Sequence, residues 1–298
     1  MYPIDGTDVP TLIKHAGMAM YTAKQQGKNR IAFYTDALDS NNMMRLSLAT
    51  EMRQGLKANE FIVYYQPQID LTNNRIVGAE ALIRWQHPKK GFMSPLDFIP
   101  LAEETGFIEA LGAWVVSTAC QQCKRWHDQG YSDFIMAVNL SARQFLFTDI
   151  VDTVSSALKE TQLPAQYLEL EITENGLMER ADKVIDSLDA LKALGVSLSI
   201  DDFGTGYSSL SYLKRFPIDK LKIDRAFVKD LPADEQDAAI SKSIIALGKS
   251  MKLTIIAEGV ETEAQREFMI AEGCNEMQGY LFSQPVSSED LENLLKKE

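Results

Sequence analysis

Tyr167-Leu168-Glu169-Leu170-Glu171, continued by Ile172-Thr173, and Val196-Ser197-Leu198-Ser199-Ile200-Asp201-Asp202 decide how this chain folds. Successive side chains of a strand point to opposite faces. Glu169, Glu171 and Thr173 therefore share one face, while Leu168, Leu170 and Ile172 share the other. Ser197, Ser199 and Asp201 oppose Leu198 and Ile200 in the same way. A strand with an apolar face toward helices and an acidic face toward its own sheet suits the inside of a closed barrel.

Working outward, the same kind of run recurs. Arg75 to Leu82, Phe134 to Asn139, Lys220-Leu221-Lys222-Ile223-Asp224 and Thr254-Ile255-Ile256-Ala257-Glu258 each end near a carboxylate, an amide or an ammonium. Strands are expected to start near residues 61, 76, 134, 167, 196, 218, 253 and 277. Amphipathic stretches such as Asp182 to Leu194 and Asp237 to Met251 lie between them. Eight strands with helical crossovers in about 240 residues fit a (β/α)8 TIM-type barrel of the α/β class. A turn at Asn73-Asn74 joins the first two strands as a hairpin, so the first strand is expected to be antiparallel.

Composition sets the outer limits. The 298 residues are 45% hydrophobic and 24% charged, enough for a substantial core. The net charge of -12 argues against binding a nucleic-acid polymer. No signal peptide or membrane-length apolar run is visible, so the chain is expected to be cytoplasmic. A membrane anchor of a longer protein would lie in regions outside it. The three cysteines, Cys120, Cys123 and Cys274, fit a reducing compartment. Cys120-x-x-Cys123 with His127 lies in an expected helix from Leu111 to Gln129 and reads as ordinary helix positions.

Six strand-end residues form an all-oxygen ligand set: Glu80, Asn139, Glu171, Asp201, Asp202 and Glu258. Hard cations such as Mg²⁺ or Mn²⁺ take such ligands. So many carboxylates favour two ions, about 3.5–4 Å apart, an arrangement suited to phosphoester hydrolysis. Lys222 on the inner face then positions or deprotonates a water, or neutralises charge. The bland alternatives stay open at this point. Glu171, Asp201 and Lys222 also read as a buried ion-pair network, Asp202 as a turn residue, and Asn139 as a cap before Ser141. Glu174 and Glu261 also read as solvated acids at helix starts.

Residues 39–298 resemble an EAL domain, the cyclic di-GMP phosphodiesterase family. The matching motifs are Glu80-Ala81-Leu82-Ile83-Arg84-Trp85, Val138-Asn139-Leu140-Ser141, Glu169 to Glu174, and Asp201 to Leu210. Leu221 to Asp224, Ala257 to Glu261 and Gln278-Gly279-Tyr280 complete the ordered set. The resemblance implies hydrolysis of cyclic di-GMP to linear 5′-pGpG, which lowers this bacterial second messenger. It implies dependence on Mg²⁺ or Mn²⁺ and inhibition by Ca²⁺.

By the same resemblance, Glu80, Asn139, Glu171, Asp201, Asp202 and Glu258 are metal-site residues, with Glu80, Lys222 and Glu258 catalytic. Leu82 and Arg84 border the substrate, Gln278 and Glu261 support the site, and Glu174 holds the loop from Asp202 to Leu210. A homodimer through segment 202–215 is implied, with Tyr207, Leu210, Tyr212 and Leu213 as its apolar contacts. Residues 1–38 are similar to the C-terminal end of a GGDEF (diguanylate cyclase) domain, through Tyr2-Pro3-x-Asp5-Gly6 and Ala16-x-x-Ala19-Met20-Tyr21-x-Ala23-Lys24-x-x-Gly27-x-Asn29-Arg30. The signature that names that family is absent, so no cyclase activity is implied for these residues. This segment is expected to hold a helix ending near Gly27 and a short strand, Ile31 to Tyr34. A polar helical connector is expected over about 39–59, and upstream GGDEF or sensory domains would lie outside the chain.

Overall fold

The computed structural model describes residues 1–25, 29–178, 181–206 and 210–297. The chain divides into two compact units, Met1–Asn59 and Glu60–Glu298.

The first unit holds two helices, Val9–Gln25 and Asp36–Lys57. His15 stacks on Tyr34 with ring centroids 3.6 Å apart. The strand expected over Ile31 to Tyr34 does not form. A strand is held by hydrogen bonds to a neighbouring strand, and the described residues of this unit contain none. Ile31 and Phe33 are exposed instead.

The second unit is built on nine strands. They are β1 (Phe61–Asp70), β2 (Ile76–His87), β3 (Gly91–Met93), β4 (Ile135–Leu140) and β5 (Leu168–Thr173). β6 (Ser197–Phe203), β7 (Lys220–Ile223), β8 (Thr254–Glu258) and β9 (Glu276–Gln278) follow. From β2 through β4 and on to β9 each strand pairs in parallel with the next. β1 is antiparallel to both β2 and β9 and closes the ring. The result is an eight-stranded α/β barrel with an antiparallel first strand, as the hairpin at Asn73-Asn74 requires. Asn74 adopts a left-handed φ of 59° there, a conformation Asn tolerates. The unexpected β3 is a short hairpin return on β2, outside the ring.

Packing follows the alternation of the sequence. Leu168, Leu170, Leu198 and Ile200 are fully buried on the helix-facing side. Helix Ala181–Leu194 meets that layer with Val184, Leu188 and Leu191, at helical i, i+4, i+7 spacing. Helix Ile108–Asp128 buries Val116, Ala119, Cys120, Cys123 and Trp126. Trp126 lies edge-on to Tyr65 and Phe134. All three cysteines are free and buried, as ordinary core positions require. Each apolar side chain so buried contributes about 1.5–3 kcal/mol.

Gly78 governs the approach of β2 to β4. A Cβ at that position would lie 2.3 Å from the Ile135 carbonyl oxygen, so only glycine lets the strands meet. Glu80 and Leu82 follow on the same face.

Candidate active site at the carboxyl ends of the strands

Six neighbouring strands deliver polar side chains to one end of the barrel. Glu80 comes from β2, Asn139 from β4, Glu171 from β5, Asp201 and Asp202 from β6, Lys222 from β7 and Glu258 from β8. Lys222 stands at the centre and is completely buried. Its Nζ lies 2.6 Å from Glu171 Oε2, 2.7 Å from Glu258 Oε1, 3.1 Å from Asp201 Oδ1 and 3.8 Å from Glu80 Oε2.

Glu80 is fixed from both sides. Asn139 Nδ2 donates to its Oε1 and Gln278 Nε2 to its Oε2. Gln278 also donates to Gln66 Oε1 at 3.1 Å and accepts from Gln68 Nε2 at 3.2 Å. The two β1 glutamines extend the site. Their signal in the sequence is the alternation Gln66-Pro67-Gln68 on the inward face, and in the sheet Gln66 pairs with Glu80.

Asp201 and Asp202 are adjacent, so regular alternation would send them to opposite faces. The β6–β7 register shifts between Ile200 and Phe203, and Asp202 takes a left-handed φ of 54°. Such a bulge re-aims side chains. One oxygen from each of Asp201, Asp202 and Glu258 then falls within 4.8 Å of the others. Glu171 Oε1 is buried with no hydrogen-bond partner.

The electrostatics of this cluster are unbalanced. Five carboxylates share the site with one ammonium, and four of them pair with it. Burial, reinforced by Glu80 and Asp201, raises Glu171 well above the usual carboxylate range although Lys222 pulls it down. Burial, then the neighbouring Asp201, pushes Asp202 up to about 7. Burial pushes Glu258 up to about 8, against the pull of Lys222. For Lys222 burial disfavours the charge, but the surrounding carboxylates outweigh it and hold the ammonium firmly protonated. A divalent cation is the natural replacement for those retained protons. The donor set is hard oxygen, one member has a free buried lone pair, and the residues fit such an ion.

A second ion cluster lies one layer deeper. Lys220 pairs with Glu169 and Glu276, each at 2.8 Å.

A cavity of about 230 Å³ opens above the carboxylates, lined by Leu82, Glu80, Asp201, Glu258, Gln278 and Tyr280 among others. Arg84 is not among the lining residues. It donates to the Ile83 carbonyl at 2.9 Å and lies 6.0 Å from the centre of the Tyr64 ring. Arg225 and Glu261 line the cavity and pair at 2.7 Å; Arg225 drew no attention in the sequence, because its motif neighbours overshadow a lone arginine after β7. Glu174 is buried, and its Oε2 accepts the Gly204 N–H at 2.8 Å. Tyr207, Ser208 and Ser209 lie outside the described residues, as does the Leu210 side chain. Leu213 is fully buried in the core and is unavailable to a second copy, whereas Tyr212 stays partly exposed and stacks near Phe216.

The EAL domain model matches residues 49–285. The chain belongs to the EAL domain family. Over 291 residues it is 46% identical to MucR of Pseudomonas aeruginosa, named a bifunctional diguanylate cyclase/cyclic di-GMP phosphodiesterase, covering 98% of this chain and 42% of MucR. It is 37% identical over 295 residues to PdeR of Escherichia coli K12, named a cyclic di-GMP phosphodiesterase, covering 99% of this chain and 44% of PdeR. The chain thus spans well under half the length of these curated relatives. Among solved structures, the MucR phosphodiesterase in complex with c-di-GMP superposes with a TM-score of 0.80 at 48% identity, over 82% of this chain and 99% of that one. The EAL domain barrel is therefore the shared element. Among the described residues, no helix is long and apolar enough to cross a membrane.

Proposed function

We infer that this EAL domain hydrolyses cyclic di-GMP to linear 5′-pGpG. The observation that carries the reading is the buried cluster of carboxylates around Lys222, combined with its likeness to the 48% identical MucR phosphodiesterase in complex with c-di-GMP. Asp201, Asp202 and Glu258 would hold one divalent cation, and Glu80, Asn139 and Glu171 a second, as Mg²⁺ or Mn²⁺. Such ions neutralise phosphate charge and raise the acidity of water at neutral pH.

The chain's own residues do the rest. Gln278 and Asn139 hold the Glu80 carboxylate in one orientation. Lys222, kept as an ammonium, donates to oxygen and orients the attacking water rather than removing its proton. Leu82 borders the bound dinucleotide and Glu261 supports the rim. Glu174 tethers the loop after β6 through Gly204. Arg84 contacts substrate phosphate in this reading only after leaving its position beside Tyr64.

Inhibition by Ca²⁺ belongs to the same proposal, because a larger ion with a looser ligand shell fits the carboxylates without the geometry that Mg²⁺ imposes. So does a homodimer through segment 202–215, supported by the partly exposed Tyr212. Residues 1–38 are read as the C-terminal end of a GGDEF-like domain and 39–298 as the phosphodiesterase domain. The match to MucR across 98% of the chain supports this. The greater length of the relatives, and the bifunctional name of MucR, support a GGDEF region outside this chain; upstream sensory domains and a cytoplasmic location for the barrel belong to the same proposal.

The test is incubation of the purified chain with cyclic di-GMP and Mg²⁺ or Mn²⁺, with EDTA and Ca²⁺ controls, and chromatography of the products. Metal-dependent pGpG is expected. Tight binding without product in any metal would replace the enzyme with a cyclic di-GMP receptor.

A further inference from the structure

Among the described residues lining the cavity, Arg225 is the sole cationic side chain, and the same cavity presents Glu80, Asp201, Glu258 and Glu261. Lys222 cannot serve an incoming anion in the same way, since it is buried and held by four carboxylates. Beyond any ions held by the carboxylates, a dianionic ligand entering such an acidic mouth is favoured by a protein cation that can reach it from the rim.

The fold makes room for this arginine. Arg225 opens a tight turn three residues after Lys222, and Asp224 Oδ1 caps the turn by accepting from the Ala226 N–H at 2.6 Å. The stem of Arg225 passes against Gly259, the residue after Glu258. A Cβ on Gly259 would sit 2.3 Å from Arg225 Cγ and 2.8 Å from its Cδ, and Gly259 has a left-handed φ of 66°. Two segments that carry site residues are thus shaped around one side chain. At its tip the guanidinium meets Glu261 at 2.7 Å, with the two side chains 61% and 41% exposed. An ion pair that open to water contributes little and exchanges partners readily. A guanidinium matches a phosphate with two parallel donors, which a carboxylate at the rim does not better.

We propose that Arg225 is a substrate-contacting residue whose guanidinium leaves Glu261 to take a phosphate oxygen of the cyclic dinucleotide at the cavity mouth. The assignment rests on the phosphodiesterase reading above. It is a ground-state contact at the rim, distinct from the chemistry around Lys222, so it acts on binding more than on turnover.

The experiment compares wild type, Arg225→Ala and Arg225→Lys for KM and kcat with Mn²⁺ at several salt concentrations. It adds Kd for cyclic di-GMP by calorimetry, in EDTA and again with Ca²⁺. Losing an exposed charge-assisted contact is expected to raise KM and Kd about tenfold while kcat stays within about twofold. Lysine is expected to recover only part of that, and alanine to flatten the salt dependence of KM. Unchanged KM and Kd in Arg225→Ala, with an active wild type, overturn the role of Arg225 and leave the phosphodiesterase reading intact. A fall in kcat alone overturns it too. Should wild type bind without hydrolysis, Kd alone decides between the two outcomes. Failure of wild type to bind cyclic di-GMP at all removes both readings together.

Discussion

Lys222 Nζ lies 2.6 Å from Glu171 Oε2, and both side chains are completely shut off from solvent. The pair joins β7 to β5 across the barrel interior, with β6 running between them. Two non-adjacent strands are therefore tied through charge rather than through the sheet. Removing one partner of a buried pair leaves an uncompensated charge and costs about 3–5 kcal/mol. Lys222→Met is expected to lose about that much stability in EDTA by urea denaturation. Mn²⁺, by neutralising the orphaned carboxylates, is expected to restore most of the stability. Turnover is expected to stay at least about 100-fold down, because the group that orients the water is gone. Recovery of turnover along with stability would contradict the assigned role.

Metal and protons compete for the same oxygens, and this gives the site a pH dependence. Asp202 and Glu258 are raised to about 7 and about 8 in the fold, against unfolded values near about 4. The folded state thus binds more protons than the unfolded state between those limits. Stability of the metal-free protein is full below about pH 4 as far as these groups count, falls as pH rises through the folded values, and levels off above about pH 8. Mn²⁺ is expected to flatten that decline in a calorimetric melting series. Its binding at pH 6 is expected to release protons, read as a dependence of the binding heat on buffer ionisation enthalpy. A metal-free melting temperature that rises steadily from pH 6 to pH 8 would contradict the raised carboxylates.

Asp202 separates charge from backbone. Its left-handed φ of 54° is tolerated by Asn nearly as well as by Asp, but costs most other residues about 1–2 kcal/mol. Asp202→Asn is therefore expected to keep the native melting temperature in EDTA while losing metal affinity and turnover. Asp202→Ala is expected to lose both and to unfold earlier. Asp201→Asn, at a position that keeps its register with Thr173 of β5, is expected to abolish turnover without unfolding the barrel. Near-normal hydrolysis by Asp201→Asn would remove Asp201 from the site.

Alternation made the barrel readable, because it is a local property of the chain. Leu168 and Leu170 face the helices and Glu169 and Glu171 face inward, as their spacing requires. The expected strand starts fall close to those observed. What stayed hidden depends on partners distant in sequence. Nothing local reveals that β6 bulges against β7 to turn Asp202 inward. Ile31 to Tyr34 carries a β-prone composition but has no strand beside it among the described residues. Arg84 follows the Glu80 motif, and its place over the Tyr64 ring depends on a partner from β1. Arg225 becomes conspicuous only when Gly259, from the next strand's end, is seen to clear its path.

Gly78 offers a test of how tightly the site depends on strand spacing. An alanine methyl there would sit 2.3 Å from the Ile135 carbonyl oxygen, a backbone atom that no rotamer change can move away. Either β2 separates from β4 or the pairing of Ala79 and Glu80 with Met136 and Ala137 slips. Overpacking of this kind costs about 1–3 kcal/mol, so Gly78→Ala is expected to fold at reduced stability. The larger effect is expected in turnover, because Glu80 sits two residues further along and is held by Asn139 from the displaced strand. Chemical denaturation and steady-state kinetics on the same preparation measure both. A variant that loses stability but keeps full kcat would show that Glu80 tolerates displacement of its strand, and would weaken the place of Glu80 in the metal-binding set.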